Sequence, residues 1–369
     1  MKKAAVSVFV SIVLAILTLA AFEGAYSLMK WNKPHRSVIY QLSALAGLTH
    51  VRSEIGAYRP YFSNPQELGD LAPRLKEAGI GLGNAPFDVR STDSAIRIED
   101  KGCPTLKPDL HMTTFFLHSS AFGPLGFPTI FYDLNKKLDP QVEGFFQKYG
   151  GPRTTLSTNA QGERITVPDV SADKIVLVAG DSVAFGALVD DDVTIASQMQ
   201  ARDSTRRYVN LGVPGTTAGE IHCRLEAAMQ RYKGKIDELI YVYCENDFDE
   251  NIPYGTPKEV VDSLAQIVHR EKIEKVTIVF SPLVYMVVPE LTRIEGSEWS
   301  PSLRREKERA KLKTLVAAAG FRWRDIGELA RSEEDDKKSS LAIWAYYVDF
   351  AHLSPYGTRK VVDSLMGSD

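Results

Sequence analysis

Cysteine is scarce in this chain of 369 residues: Cys103, Cys223 and Cys244 are the whole complement. Three scattered cysteines are too few for a disulfide framework, and no Cys/His spacing resembles a zinc site. The expectation is three mostly buried thiols. An excess of charge is also missing. Lys and Arg number 44 against 47 Asp and Glu, a net charge of -3, which excludes a general polyanion binder. There are no internal repeats. The composition is globular, with 44% hydrophobic and 25% charged residues, and the length suits two ordinary domains or one large one.

Long uncharged apolar runs are confined to the amino terminus. Residues Ala4 to Ala21 carry no charge and follow Lys2 and Lys3. The run reads as a secretory signal peptide or an N-terminal transmembrane anchor. It is long for a signal-peptide core, and Glu23-Gly24-Ala25 is a poor cleavage site, so an uncleaved anchor is favoured. The rest of the chain is then extracytoplasmic, periplasmic or at the cell surface, or secreted if the segment is cleaved. Lys30, Lys33 and Arg36 flank the far end, so the positive-inside rule decides little.

Residues 26–170 form an accessory region. Asn64-Pro65 opens a predicted helix that Pro73 interrupts and Gly79 ends. Glycines and prolines then cut the sequence into short pieces. Phe115, Phe116, Phe122, Phe127, Phe131 and Tyr132 form an aromatic-rich patch, read as the core of a small satellite domain or, less favoured, a wall over a site. His111 and His118 lack an evident partner and read as structural. Asn159 to Arg164 is polar and turn-forming, which puts a boundary near residue 170.

From residue 171 to 369, strand and helix signals alternate. Predicted strands are Ile175–Ala179, Tyr208–Leu211, Glu238–Tyr243, Val276–Phe280 and Phe321–Trp323. Predicted helices are Thr194–Ala201, Ala218–Tyr232, Pro257–Arg270, Ser302–Ala319 and a last one from Ser354-Pro355 to Leu365. The run Glu333 to Lys338 reads as a solvated loop. Alternation of this kind predicts a three-layer α/β/α, flavodoxin-like domain with a parallel sheet.

Four places in this half carry chemistry. Ile175–Ala179 is apolar and β-branched, as in a strand buried on both faces, and stops at Gly180-Asp181-Ser182. Ligands of open α/β sheets bind outside the strands' carboxyl ends, where Ser182 falls. Past the second strand, Gly215 could bring its N–H close to a ligand or serve a tight turn. Cys244-Glu245-Asn246-Asp247 closes the third strand, and Asn246 can donate two hydrogen bonds or form an Asx turn. Last, Asp349 lies three residues before His352, where a carboxylate can hold one ring nitrogen and leave the other for a serine proton. Serine, oriented base and donors are what acyl transfer needs. Ser182 is followed by Val183-Ala184, so the Gly-x-Ser-x-Gly elbow of α/β-hydrolases is absent.

The order Gly180-Asp181-Ser182, Gly215, Asn246-Asp247, Asp349-x-x-His352, with Leu353-Ser-Pro-Tyr-Gly-Thr-Arg359 after it, resembles the SGNH/GDSL hydrolase superfamily over residues 171–369. The resemblance implies Ser182 as nucleophile, His352 as base and Asp349 as its orienting acid. It implies an oxyanion hole from the Ser182 N–H, the Gly215 N–H and the Asn246 side chain. One departure is Cys244, where the family usually has glycine, with Glu245 adding a charge. The expected function is a membrane-anchored serine esterase that acts on a small-molecule or glycan acyl ester through an acyl-enzyme. It needs no metal or organic cofactor and binds no nucleic acid. The rivals are an acyl- or acetyltransferase on cell-envelope glycan and an inactive glycan-binding module.

Overall fold

The structure is a computed structural model. It describes residues 81–82, 95–98, 103–116, 129–133, 153–244, 247–248, 251, 253–283, 303–337, 346–347 and 351–367, with isolated positions at Ser11, Thr18 and Ala21. Apart from those three positions the Ala4–Ala21 segment lies outside the described residues, as do the predicted helix after Asn64, His118, Phe122 and Phe127. Among the described residues, no helix is long and apolar enough to cross a membrane.

Six short strands precede the α/β unit: β1 (Gly81–Leu82), β2 (Ile96–Ile98), β3 (Pro104–Leu106), β4 (His111–Phe116), β5 (Thr129–Asp133) and β6 (Arg153–Ser157). Four of them form an antiparallel sheet in the order β1-β5-β4-β6, and β2 pairs antiparallel with β3. Phe115 and Phe116 lie in β4, and Phe131 and Tyr132 in β5, so part of the aromatic patch is strand. His111 starts β4, with its Nδ1 3.3 Å from Ser157 Oγ.

The second half alternates as the sequence predicts. Its strands are β7 (Ile175–Gly180), β8 (Arg207–Asn210), β9 (Ile236–Cys244), β10 (Lys275–Ser281) and β11 (Arg322–Asp325). All neighbouring pairs are parallel, in the order β8-β7-β9-β10-β11. Renumbered from β7, that order is 2-1-3-4-5, the flavodoxin-like arrangement. Helices α1 (Ser182–Phe185), α2 (Ile195–Gln200), α3 (Ala218–Arg231), α4 (Pro257–Glu271), α5 (Leu303–Ala318), α6 (Ile326–Lys337) and α7 (Pro355–Met366) cover the sheet.

Strand periodicity decides which helix packs where. Val176, Val178, Ile240, Val242 and Cys244 face one layer, with Ala184 of α1, Met199 of α2, Ala330 of α6 and Val361 of α7. Leu177, Ala179, Leu239, Tyr241 and Tyr243 face the other, with Leu225 of α3, Leu264 of α4 and Leu312 of α5. Each fully buried aliphatic side chain contributes about 1.5–3 kcal/mol. Thr217 with Glu220 and Thr256 with Glu259 form capping boxes on α3 and α4, and Pro257 occupies the first turn of α4.

Two expectations are corrected. The acidic run from Glu333 is not a loop as far as Lys337: α6 continues through it, its start seated by buried Ile326 and Ala330 and by Asp325 Oδ1, which accepts from Glu328 N at 3.1 Å. Nor are the cysteines three thiols. Cys103 and Cys223 form a disulfide with a Cα–Cα separation of 5.6 Å, tying the segment before β3 to α3. Cys244 alone stays a buried thiol.

Residues 154–167 pack on the α/β unit, ahead of residue 171. Ala95, Ile96, Leu106 and Leu156 share one apolar cluster with Phe185 and Val213. Beside the disulfide, Arg224 of α3 donates from Nη1 to Pro104 O at 3.1 Å and from Nε to Leu211 O at 2.9 Å.

Candidate active site

The nucleophile position is set by a tight exit from β7. Gly180 has φ 153°, and a Cβ there would lie 2.5 Å from Val242 O, so only glycine fits between β7 and β9. Asp181 caps α1: its Oδ1 accepts from Val183 N at 2.9 Å. Ser182 is the first helical residue, and its side chain is partly open to solvent. Gly186 ends this single turn in the left-handed conformation, with its N–H donating to Ser182 O and Val183 O, each at 3.1 Å.

The base arrives from the other end of the domain. His352 lies two residues before Ser354, the N-cap of α7, in a segment fixed on three sides. Leu353 bridges Tyr347, Ser354 N donates to Tyr346 O at 2.8 Å, and Tyr347 Oη donates to Pro282 O, just past β10, at 3.0 Å. Ser354 Oγ caps α7 by accepting from Gly357 N at 3.0 Å. A Cβ on Gly357 would fall 2.2 Å from Tyr346 O, so glycine lets α7 approach that segment. As a result His352 Nε2 lies 2.9 Å from Ser182 Oγ. At that distance the imidazole can take the hydroxyl proton as the oxygen attacks.

The other predicted positions differ in what can be said of them. Gly215 lies in the exposed turn between β8 and α3, with φ 73° and no atom within 4 Å of a built Cβ. Its glycine is needed for the backbone conformation, not for lack of space. Among the described residues, nothing accepts a hydrogen bond from its N–H. Asn246, Glu245 and Asp349 lie outside the described residues.

Cys244 points into the layer that holds α1 and α7, packed in the apolar cluster with Ala184, Ala351 and Leu353. Its N–H donates to Asp247 Oδ2 at 3.2 Å. Asp247 is buried, and burial, reinforced by the Asp181 carboxylate, pushes its carboxyl well above the usual carboxylate range. Among the described residues, no group of three or more His, Cys, Asp or Glu is arranged to hold a metal ion.

Arg164 is a component that sequence reasoning missed. Read as part of a polar turn, it is 1% exposed. Its guanidinium donates to Phe185 O (2.9 Å), Gly186 O (2.5 Å), Val189 O (2.7 Å), Thr155 O (3.1 Å) and Asp191 Oδ1 (3.0 Å). Burial lowers its pKa, and the Asp191 carboxylate opposes that shift. The neighbouring Glu163 is equally buried and accepts from Arg231 Nη1 at 2.6 Å and Tyr232 Oη at 2.8 Å. The available signal was a charged pair flanked by β-branched Ile165 and Thr166, too common to single out.

No protein-family profile matches the chain, and no curated protein does. Several solved structures resemble it. A member of the lipolytic G-D-S-L family from Veillonella parvula aligns at 14% identity, covering 53% of this chain and 98% of its own, with a TM-score of 0.39. Axe2, an acetylxylan esterase from Geobacillus stearothermophilus, aligns at 19% identity over 54% of this chain and 97% of its own, with a TM-score of 0.38. TesA aligns at 14% identity over 52% and 96%, with a TM-score of 0.37.

Proposed function

We propose that this protein is a serine ester hydrolase of SGNH/GDSL type. The observation that carries the reading is the 2.9 Å contact between Ser182 Oγ and His352 Nε2, made across the carboxyl ends of a 2-1-3-4-5 parallel sheet. His352 takes the Ser182 proton while Oγ attacks the acyl carbonyl. The tetrahedral intermediate collapses with the proton passing from His352 to the departing alcohol. Water then repeats the cycle on the acyl-serine. By the resemblance, Asp349 orients His352, and the Ser182 N–H, the Gly215 N–H and the Asn246 side chain hold the oxyanion.

The reading extends to place. An extracytoplasmic catalytic domain, anchored through Ala4–Ala21, is supported by the uncharged run and by the Cys103–Cys223 disulfide, since such bonds persist in oxidising compartments. Fractionation with amino-terminal sequencing tests this half. A soluble mature protein beginning near Ala25 would rule the anchor out.

The chemistry is tested by assaying the protein on short- and long-chain esters and on acetylated sugars, beside Ser182→Ala. Acid release by the wild type alone supports hydrolysis. Suppression of acid release by an added sugar acceptor points to acyl transfer instead. Equal rates with both proteins would overturn the nucleophile.

A further inference from the structure

We infer that Arg164 is a positioning residue for the nucleophile, through which the region before the α/β unit controls the serine turn. The inference rests on the hydrolase reading above for its consequence, but its physical basis is separate. A guanidinium has five N–H donors, and here all five are taken. Four go to main-chain carbonyls and one to Asp191. Three of those carbonyls, on Phe185, Gly186 and Val189, belong to the last residue of α1 and the loop that follows it.

That helix needs an outside hold. It is four residues long, and a single turn has almost no stability of its own. Its last carbonyls lack helical partners. Arg164 supplies one for Phe185 O and continues to Gly186 O and Val189 O beyond the helix, while its charge stands 4.6 Å from the centre of the Phe185 ring. Asn210 Nδ2 adds a contact to Phe185 O at 3.3 Å. Serine therefore sits on a turn clamped at its far end.

The clamp is reciprocal. The loop's own acids grip the strand that approaches it. Asp190 Oδ1 accepts from Thr155 N at 2.7 Å and Thr155 Oγ1 at 3.0 Å, and Asp191 Oδ1 accepts from Ser157 N at 3.0 Å. Among the described residues strand β6 is an edge of its sheet, and these loop side chains accept from its main-chain N–H groups there. Arg164 itself bridges Asn210 of β8 and Thr158 beyond β6. A displacement of the accessory sheet would thus reach the serine turn through Arg164 and the two loop carboxylates. Lysine cannot substitute, having three donors on a point charge.

The test compares wild type with Arg164→Lys and, because that variant could fail to fold, with Asp190→Ala, which releases β6 at a partly exposed site. Two readouts are taken well below the unfolding temperature. Exchange of the Gly186 and Ala187 amide protons, both bonded to Ser182 O, reports the hold on the turn. It should quicken by about tenfold or more in Arg164→Lys while core amides of β9 stay protected. The rate of Ser182 labelling by a fluorophosphonate, and kcat on a soluble ester, should fall on the order of 10- to 100-fold with KM within about twofold. Asp190→Ala should move both readouts in the same direction by less. A merely structural arginine would lower the unfolding temperature and leave labelling and kcat at wild-type values; that outcome overturns the proposal, as does unchanged exchange at Gly186 and Ala187. A wild type that does not label at all would refute the hydrolase reading, and the exchange readout would still decide whether Arg164 holds the turn.

Discussion

His352 Nε2 stands 2.9 Å from Ser182 Oγ although 170 positions separate the two residues in the chain. Each is placed by its own local device: Asp181 and Gly180 at the serine turn, Ser354 and Gly357 at the histidine segment. The serine turn leaves β7, and Tyr347 ties the histidine segment to Pro282 just past β10, so the sheet sets the distance between them.

Replacing His352 with alanine should therefore abolish the base without disturbing the serine turn. Turnover should fall by about 10⁴ or more, with the unfolding midpoint little changed. Steady-state kinetics with a denaturation curve checks this. Near-normal kcat would remove His352 from the mechanism.

Asp247 gives a pH prediction. Its folded-state pKa is raised by burial and by Asp181, so between the unfolded value and the raised value the folded state holds a proton that the unfolded chain has lost. Its contribution to stability is greatest below the ordinary carboxylate range and declines as pH rises through that window. Asp247→Asn should remove this decline. Urea midpoints at pH 5 and pH 8 should show the variant gaining on the wild type at the higher pH. Parallel pH profiles would contradict the assignment.

The architecture was readable because it rests on local rules. Ile175–Ala179 has the β-branched composition of a doubly covered strand, and Ser354-Pro355 is a cap with a first-turn proline; both elements form where expected. The serine and histidine followed from motif order. Other features were not local. Pairing Cys103 with Cys223 joins residues 120 apart, and nothing in one sequence selects that pair over the others. Arg164 read only as part of a polar turn because its five acceptors are mostly backbone carbonyls, which leave no mark in sequence. The acidic run in α6 misled because a helix can continue through charged residues when a few residues at its start, here Ile326 and Ala330, are buried.

Losing the disulfide should cost stability. Closing a loop of this length restricts the unfolded chain, and Cys103→Ser with Cys223→Ser should lower unfolding free energy by about 2–5 kcal/mol. Chemical denaturation with and without reductant measures it. A thiol titration of the native, unreduced protein that finds three reactive groups after unfolding would contradict the pairing.

Gly215 separates backbone need from steric need. With φ 73° and open space at Cβ, Gly215→Ala should cost about 1–2 kcal/mol, and Gly215→Asn less. Turnover of folded Gly215→Asn within about tenfold of wild type is expected, since its N–H is retained. Complete loss of activity in a fully folded Gly215→Asn would mean that the substrate fills the space beside this turn.

The most direct test of the central claim is covalent. A fluorophosphonate captures a serine only when a base activates its hydroxyl and donors hold the tetrahedral product. Mass spectrometry of the labelled, digested protein should place one adduct on Ser182 and none in His352→Ala. A folded wild-type protein that carries no adduct at Ser182, or carries it equally with and without His352, would contradict the account.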